Sequence, residues 1–250
     1  MKKKNISRYL LILLSFLISM SFTPEPVNVV GKVTFPLGNV LVLNKGETRF
    51  RKATFNMPLN TGDKIETKKQ SRCELTYNDG SVVRIDEQSI YTVEQAQFSE
   101  SQKQVESKLS IGKLWANVKK LVRSNDSWKL KSPVAVVAVR GTIYRMNAGA
   151  DSATQVLVYE GNVAVSPAAP SSAQPGMGTA PGPPKQVPGP TQVAPPTKVT
   201  PEQWFEIIKA QQQIVVRPDG TYAKSDFNMQ TDAQLEWVQW NKERDALLKE

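Results

Sequence analysis

The chain has 250 residues, with 32 Lys+Arg against 23 Asp+Glu for a formal net charge of +9, no histidine and one cysteine. Without histidine it lacks the usual general base and the commonest neutral metal ligand. A single cysteine permits neither an internal disulfide nor a thiolate–imidazole zinc site.

In chain order, residues 1–8 carry Lys2, Lys3, Lys4 and Arg8 and no acid, and residues 9–22 are apolar apart from three serines. Ser19-Met20-Ser21 places small residues where a signal peptidase cleaves. The apolar run falls short of the roughly 20 residues a spanning helix needs. The pattern therefore predicts an export signal over residues 1–21, with an uncleaved N-terminal anchor as the alternative. No cysteine follows the run, which argues against a lipoprotein. Loss of residues 1–21 removes four cations and no acid, leaving +5. The expected location is the periplasm or the extracellular space, with outer-membrane association as a further option. No spanning segment is expected in the mature chain.

Residues 27–166 are rich in Val, Ile, Leu and Thr and punctuated by glycine. Strand openings follow Gly31, Gly38, Gly62, Gly80, Gly112, Gly141 and Gly161, a rhythm that fits many short strands. Uneven spacing excludes a strict repeat. The expectation is an all-β domain, an irregular β-solenoid or roll, with an ordinary antiparallel sandwich as the alternative. Cys73, Leu75 and Tyr77 alternate with Arg72, Glu74 and Thr76, so Cys73 is expected in a buried strand position. Asn78-Asp79-Gly80 signals a turn, after which Val83 and Ile85 resume the alternation. Residues 134–139 are all Val or Ala, which predicts a strand covered on both faces. That strand ends in Arg140-Gly141-Thr142. Arg140 is expected to be buried and paired, with Asp86, Glu87 and Glu160 as candidates, and Gly141 to adopt a conformation that side chains resist. Val156 to Tyr159 form another strand, turned by Glu160-Gly161 into Val163 and Val165.

Residues 167–201 contain 11 of the 17 prolines and no aromatics, the composition of an extended, disordered linker. Residues 202–250 hold three of the five tryptophans and predict two short helices around a turn. Thr200, Pro201 and Gln203 give a helix start, with Trp204, Ile207, Ile208 and Gln211 on one face. After the Arg217-Pro218-Asp219-Gly220 turn, a second helix is expected from Thr231 or Asp232 through Leu235, Trp237, Val238 and Trp240 to Leu248. Arg244 follows Trp240 by four residues, which stacks guanidinium on indole. The tryptophans are expected to dock on the β domain.

The chain has no nucleophile elbow, no phosphate-binding glycine loop and no calcium loop. Asp63, Asp79 and Asp86 are conceivable catalytic carboxylates, but each sits at a turn or strand end, where acids serve the backbone. Neither enzymatic activity nor a cofactor or metal is expected. Lysine pairs such as Lys68-Lys69 and Lys119-Lys120 are ordinary solvated faces without interleaved aromatics, so nucleic acid is not an expected partner.

Several segments together resemble the FecR family, an extracytoplasmic sensing domain. They are Gly31-Lys32-Val33, Gly38-Asn39-Val40, the turn around Gly62-Asp63, the hairpin around Asp79-Gly80, Gly112-Lys113-Leu114, Val139-Arg140-Gly141-Thr142, and Glu160-Gly161-Asn162-Val163. The resemblance covers residues 29–166 and implies that these motif residues are structural. FecR anti-sigma regulators also carry a sigma-binding segment, a membrane span and a further terminal module. The arrangement here is more similar to stand-alone exported FecR-domain proteins, whose C-terminal helix resembles the segment holding Trp237, Trp240 and Arg244. The implied function is non-catalytic binding or scaffolding in the envelope, with another envelope protein or a cell-wall or surface glycan as partner. The alternative is a sensor reporting to a separate membrane protein.

Overall fold

Two-residue periodicity dominates the computed structural model, which describes residues 28–168 and 205–248. The expected export signal, residues 169–201 of the expected linker, and Trp204 lie outside the described residues. The strands are β1 (Val29–Leu37), β2 (Val40–Leu43), β3 (Arg51–Lys52), β4 (Pro58–Asn60), β5 (Lys64–Thr67), β6 (Arg72–Tyr77), β7 (Val82–Ile85), β8 (Ser89–Phe98) and β9 (Lys103–Asn117). They continue as β10 (Ser127–Lys131), β11 (Ala135–Val139), β12 (Ile143–Ala148), β13 (Thr154–Glu160), β14 (Asn162–Pro167), β15 (Glu206–Lys209), β16 (Gln212–Val216) and β17 (Tyr222–Asp226). Helices α1 (Met229–Asp232) and α2 (Glu236–Leu247) follow.

The strands divide into two open sheets that share β9. The first runs β4-β1-β6-β7-β9-β12-β13-β16-β17. The second runs β3-β2-β5-β8-β9-β10-β11-β14-β15. Every pairing is antiparallel except β9 with β10. The chain steps from one sheet to the other at residues with positive φ, among them Gly38, Gly62, Gly112, Gly141, Gly161, Asn56, Gln70, Gln88 and Gln211. Gly112 lies inside β9, where the strand leaves the second sheet for the first. With φ at 105°, a Cβ there would sit 2.0 Å from Ser89 Oγ and 2.6 Å from Ser89 Cα. Only glycine permits that bend.

One apolar cluster fills the space between the sheets, with Leu75, Ile85, Leu114, Tyr144 and Val156 from the first and Ile65, Tyr91, Leu109, Val137 and Val165 from the second. Cys73 lies in this core, fully buried. The mostly-β expectation and the C-terminal helix both hold.

Three sequence expectations are corrected. The stretch expected as a helix from Pro201 through Gln211 is strand where it is described: Ile208, Ile214 and Val216 are buried, and β15 and β16 extend the exposed edges of β14 and β13, while the Arg217-Pro218-Asp219-Gly220 turn forms as expected. Pairing two open edges outweighs the local helix signal, since an unpaired edge leaves a row of backbone donors and acceptors unmet. The later helix is broken: Asn228, rather than Thr231 or Asp232, caps α1, and α2 begins at Glu236. Finally, β11 is not covered on both faces, because Ala135, Val137 and Val139 are buried while Val136 and Ala138 are half-buried. No helix among the described residues is long and apolar enough to cross a membrane.

Candidate functional site

The register of the first sheet sets Glu74 opposite Arg84, Arg84 opposite Trp115, and Trp115 opposite Arg145. Alternation puts this row on the face turned away from the core. It is nevertheless buried, because α2 lies across it. Alternation in β6 sets Glu74 apart from the core positions, and docking of the C-terminal tryptophans on the β domain is expected, but nothing in the sequence places them over this row. Arg84 Nε donates to Glu74 at 2.6 Å, and Arg84 Nη1 donates to Asp245 at 2.7 Å. Trp115 Nε1 donates to the other Asp245 oxygen at 2.9 Å, and Arg244 makes two bonds to Glu74 at 2.8 and 2.9 Å. Burial opposes ionisation of Glu74, but hydrogen bonds from Arg244 and Arg84 and their charges outweigh it and hold its pKa at about 2.

Aromatic groups surround the lock. Trp237 stacks on Trp240 with ring centres 5.4 Å apart, and the Arg244 guanidinium lies 5.5 Å from the Trp240 ring, the expected contact. Farther along, Asp232 of α1 accepts from Arg145 and from the Tyr159 hydroxyl, both at 2.6 Å. Sequence reasoning missed Glu74, Arg84, Trp115, Arg145 and Asp245 as a group. They come from five separate elements, and only the strand register reveals the row.

The motif residues are placed at three corners. Asp63 is buried and accepts from Asn60 N at 2.8 Å, Asn60 Nδ2 at 3.1 Å, Asn44 Nδ2 at 3.0 Å and Lys45 N at 3.3 Å. Gly62 (φ 93°) packs against Lys45, so the Gly62-Asp63 turn binds two loops together. Asp79 accepts from Ser81 N and Oγ at the tip of the β6–β7 hairpin, beside Gly80. Thr142 Oγ1 donates to Asn162 O at 2.7 Å, and a Cβ on Gly161 would lie 2.8 Å from Gly141 O. The structure thus brings Val139-Arg140-Gly141-Thr142 and Glu160-Gly161 to one corner.

Arg140 itself is exposed, which corrects the expectation of a buried charge paired with Asp86, Glu87 or Glu160. Its Nε donates to Leu121 O at 3.1 Å and its Nη2 to Arg123 O at 3.4 Å. The Gly141 corner turns the side chain outward, where carbonyls of the β9–β10 loop meet it. Asp86 instead accepts from Arg72 Nε at 3.1 Å, and the conceivable acids serve separate places.

The Asp63 turn also shapes a groove of about 690 Å³ whose walls include Asn28, Asn44, Asn60, Gln95, Gln97 and Gln104. Asn28 Nδ2 and Thr61 Oγ1 both donate to Ala96 O, at 2.9 and 3.2 Å, fixing one wall. Gln97 faces Gln104 across β8 and β9, forming a rim of paired amides. Asn60 Oδ1 is buried without a hydrogen-bond partner. Two cations, Lys45 and Arg51, and two acids, Glu47 and Asp63, balance within the lining. Such a surface offers neutral donors and acceptors and no net charge. Among the described residues no cluster of His, Cys, Asp or Glu is arranged to hold a metal.

Residues 63–164 match the family described as FecR protein. No curated protein matches the chain. Two crystal structures from Parabacteroides distasonis ATCC 8503, each described as a "putative anti-sigma factor", share 18% identity with it at a TM-score of 0.45. The match covers 68% of this chain and 62% of that one, so this chain spans less than two-thirds of the solved chain's length.

Proposed function

We propose that this chain, which carries a FecR domain over residues 63–164, is an exported, non-catalytic binding module of the cell envelope that holds a neutral glycan strand. The amide-lined groove carries this reading. Amide side chains donate and accept at once, as sugar hydroxyls do, and the balanced lining charge neither attracts nor repels an ionic polymer. The groove is held open by Asp63, a motif residue, so the domain's structural signature shapes its binding surface. Stepping between two sheets at successive corners supports an irregular roll, with the groove at one end of the second sheet. Export rests on residues 1–21, and the proline-rich composition of residues 167–201 supports a tether.

Retention of the purified chain on insoluble peptidoglycan or envelope polysaccharide tests the reading. The combined Gln95→Ala and Gln97→Ala substitution, on exposed rim positions, should abolish retention without loss of fold. A wild-type chain that passes through every such matrix would overturn it. The second reading, a sensor reporting to a separate membrane protein, draws on the FecR domain. Crosslinking in intact cells to a partner with a membrane span would favour it.

A further inference from the structure

Two positions along from the buried charge row, a second row crosses the same face of the first sheet: Lys113 opposite Asn147, and Asn147 opposite Gln155. The first turn of α2 overhangs this row with Glu236 and Trp237, and a cleft of about 460 Å³ lies between them. That volume is within the usual range of small-molecule sites.

Three residues lining the cleft each carry a buried polar atom without a hydrogen-bond partner: Arg145 Nε, Asn147 Oδ1 and Trp237 Nε1. Arg145 and Trp237 are themselves only 5% and 6% exposed. Leaving buried polar atoms unmet is costly, so three around one cleft call for a common partner. The other groups are already committed. Arg145 Nη2 is bonded to Asp232, Asn147 Nδ2 donates to Gln155 Oε1 at 2.9 Å, and Arg72 is engaged by Asp86 and Glu236.

The unmet set is two donors and one acceptor. Hydroxyl groups can satisfy both kinds, whereas a carboxylate could serve only the donors. Charge points the same way: the lining cations Arg72, Lys113 and Arg145 are matched by Asp86, Glu87 and Glu236, with Asp232 behind Arg145. An added anion would meet no net positive field. Half-exposed Leu235 supplies an apolar patch at the cleft's rim, the Trp237 ring being already stacked on Trp240 and set against the Arg72 guanidinium.

We propose that this cleft is a binding site for a small neutral polyhydroxylated ligand, a monosaccharide unit, bound between the FecR-domain sheet and the C-terminal helix. It is separate from the amide-lined groove and does not rest on it. Because Trp237 belongs to α2, occupancy strengthens the docking of that helix.

The test uses the full chain labelled with ¹⁵N, titrated with glucose, N-acetylglucosamine and glycerol, with sodium acetate as the anionic control. The expected result is a saturable shift of the Trp237 indole N–H resonance with a saccharide and none with acetate. Trp237→Phe and Asn147→Ala should each weaken binding about tenfold. Trp237→Phe also lowers the melting temperature because Trp237 packs in the docking face of α2, so Asn147→Ala, which leaves that face intact, reads the site alone. The Gln95→Ala, Gln97→Ala chain should bind as wild type, which separates this site from the groove. Absence of any saturable shift, a response to acetate above that to the sugars, or affinity unchanged in both variants would each overturn the proposal and leave the cleft to water.

Discussion

Arg84 and Asp245 are 161 positions apart in the chain, yet Arg84 Nη1 donates to Asp245 Oδ1 at 2.7 Å with the arginine side chain fully buried. This bond ties the last helix to the middle of the first sheet. The buried face of α2 consists of Trp237, Val238, Asn241 and Asp245, half of it polar, because the surface it covers combines charged Glu74, Arg84 and Arg145 with apolar Trp115, Ile143 and Tyr159. Matching of partners, more than area, fixes where the helix sits.

Removing one partner should therefore be costly. Asp245→Ala removes the ion pair at Arg84 Nη1, leaving that nitrogen a single 3.3 Å bond to Asn241 O, and strands the Trp115 indole N–H. It should lower stability by about 3–5 kcal/mol, the usual cost of leaving a buried charge uncompensated. Urea unfolding reads this as a lower midpoint. A loss under ~1 kcal/mol, the scale of an exposed pair, would mean that the helix is held by its aromatic contacts alone.

Acid should act through Glu74. Its carboxyl titrates at about 2 in the folded chain against an ordinary 4.5. A depressed folded pKa contributes stability that is present above the ordinary value and is lost as pH falls from 4.5 through about 2. The shift corresponds to about 3 kcal/mol. Stability measured from neutral pH to pH 2 should show this acid limb, and Glu74→Gln should flatten it. A Glu74→Gln profile that falls as steeply as wild type would assign the acid sensitivity to other carboxylates.

Much of the sheet structure was legible in the sequence, because alternation and glycine report local conformation. Cys73, Leu75 and Tyr77 face the core as their spacing indicates, and the Asn78-Asp79-Gly80 turn closes the β6–β7 hairpin. What failed depends on partners distant in sequence. Ile207 and Ile208 fit a helix face as well as a strand, and only the open edge of β14 decides between them. Glu74 was read correctly as facing away from the core, but that did not reveal its cover. Arg140 was misjudged because the strand before it was taken as covered on both faces. The groove amides stood out as no motif, since Asn and Gln scattered over loops carry no period.

The glycine and the arginine of the Val139-Arg140-Gly141-Thr142 corner should behave oppositely. Gly141 has φ at 92°, and a Cβ there would meet Lys120 Cα at 2.8 Å. Backbone strain and the forced shift together should make Gly141→Val cost a few kcal/mol. Arg140→Ala removes two bonds to loop carbonyls, one part-buried and one exposed, and should cost about 1 kcal/mol. Thermal melts of the two variants settle the comparison. Equal losses would return Arg140 to a structural role.

Cys73 offers a probe of which part of the fold opens first. Burial pushes its thiol well above the ordinary range, and the nearby Glu74 charge adds to this. Thiolate is the reactive form, so labelling must wait for opening of the core. Alkylation of the native chain should be at least ~10³-fold slower than in denaturant, as expected if exposure requires global unfolding. The flanking residues Arg72 and Glu74 both contact α2, through Glu236 and Arg244, but on the opposite face of β6. Undocking the helix should therefore bare Arg72 and Glu74 while Cys73 stays covered by the second sheet. In Asp245→Ala, slow labelling of Cys73 alongside rapid hydrogen exchange in α2 would show that the helix leaves as a separate unit. Rapid labelling would show instead that the charge row holds the first sheet together, and that helix and core open in one step.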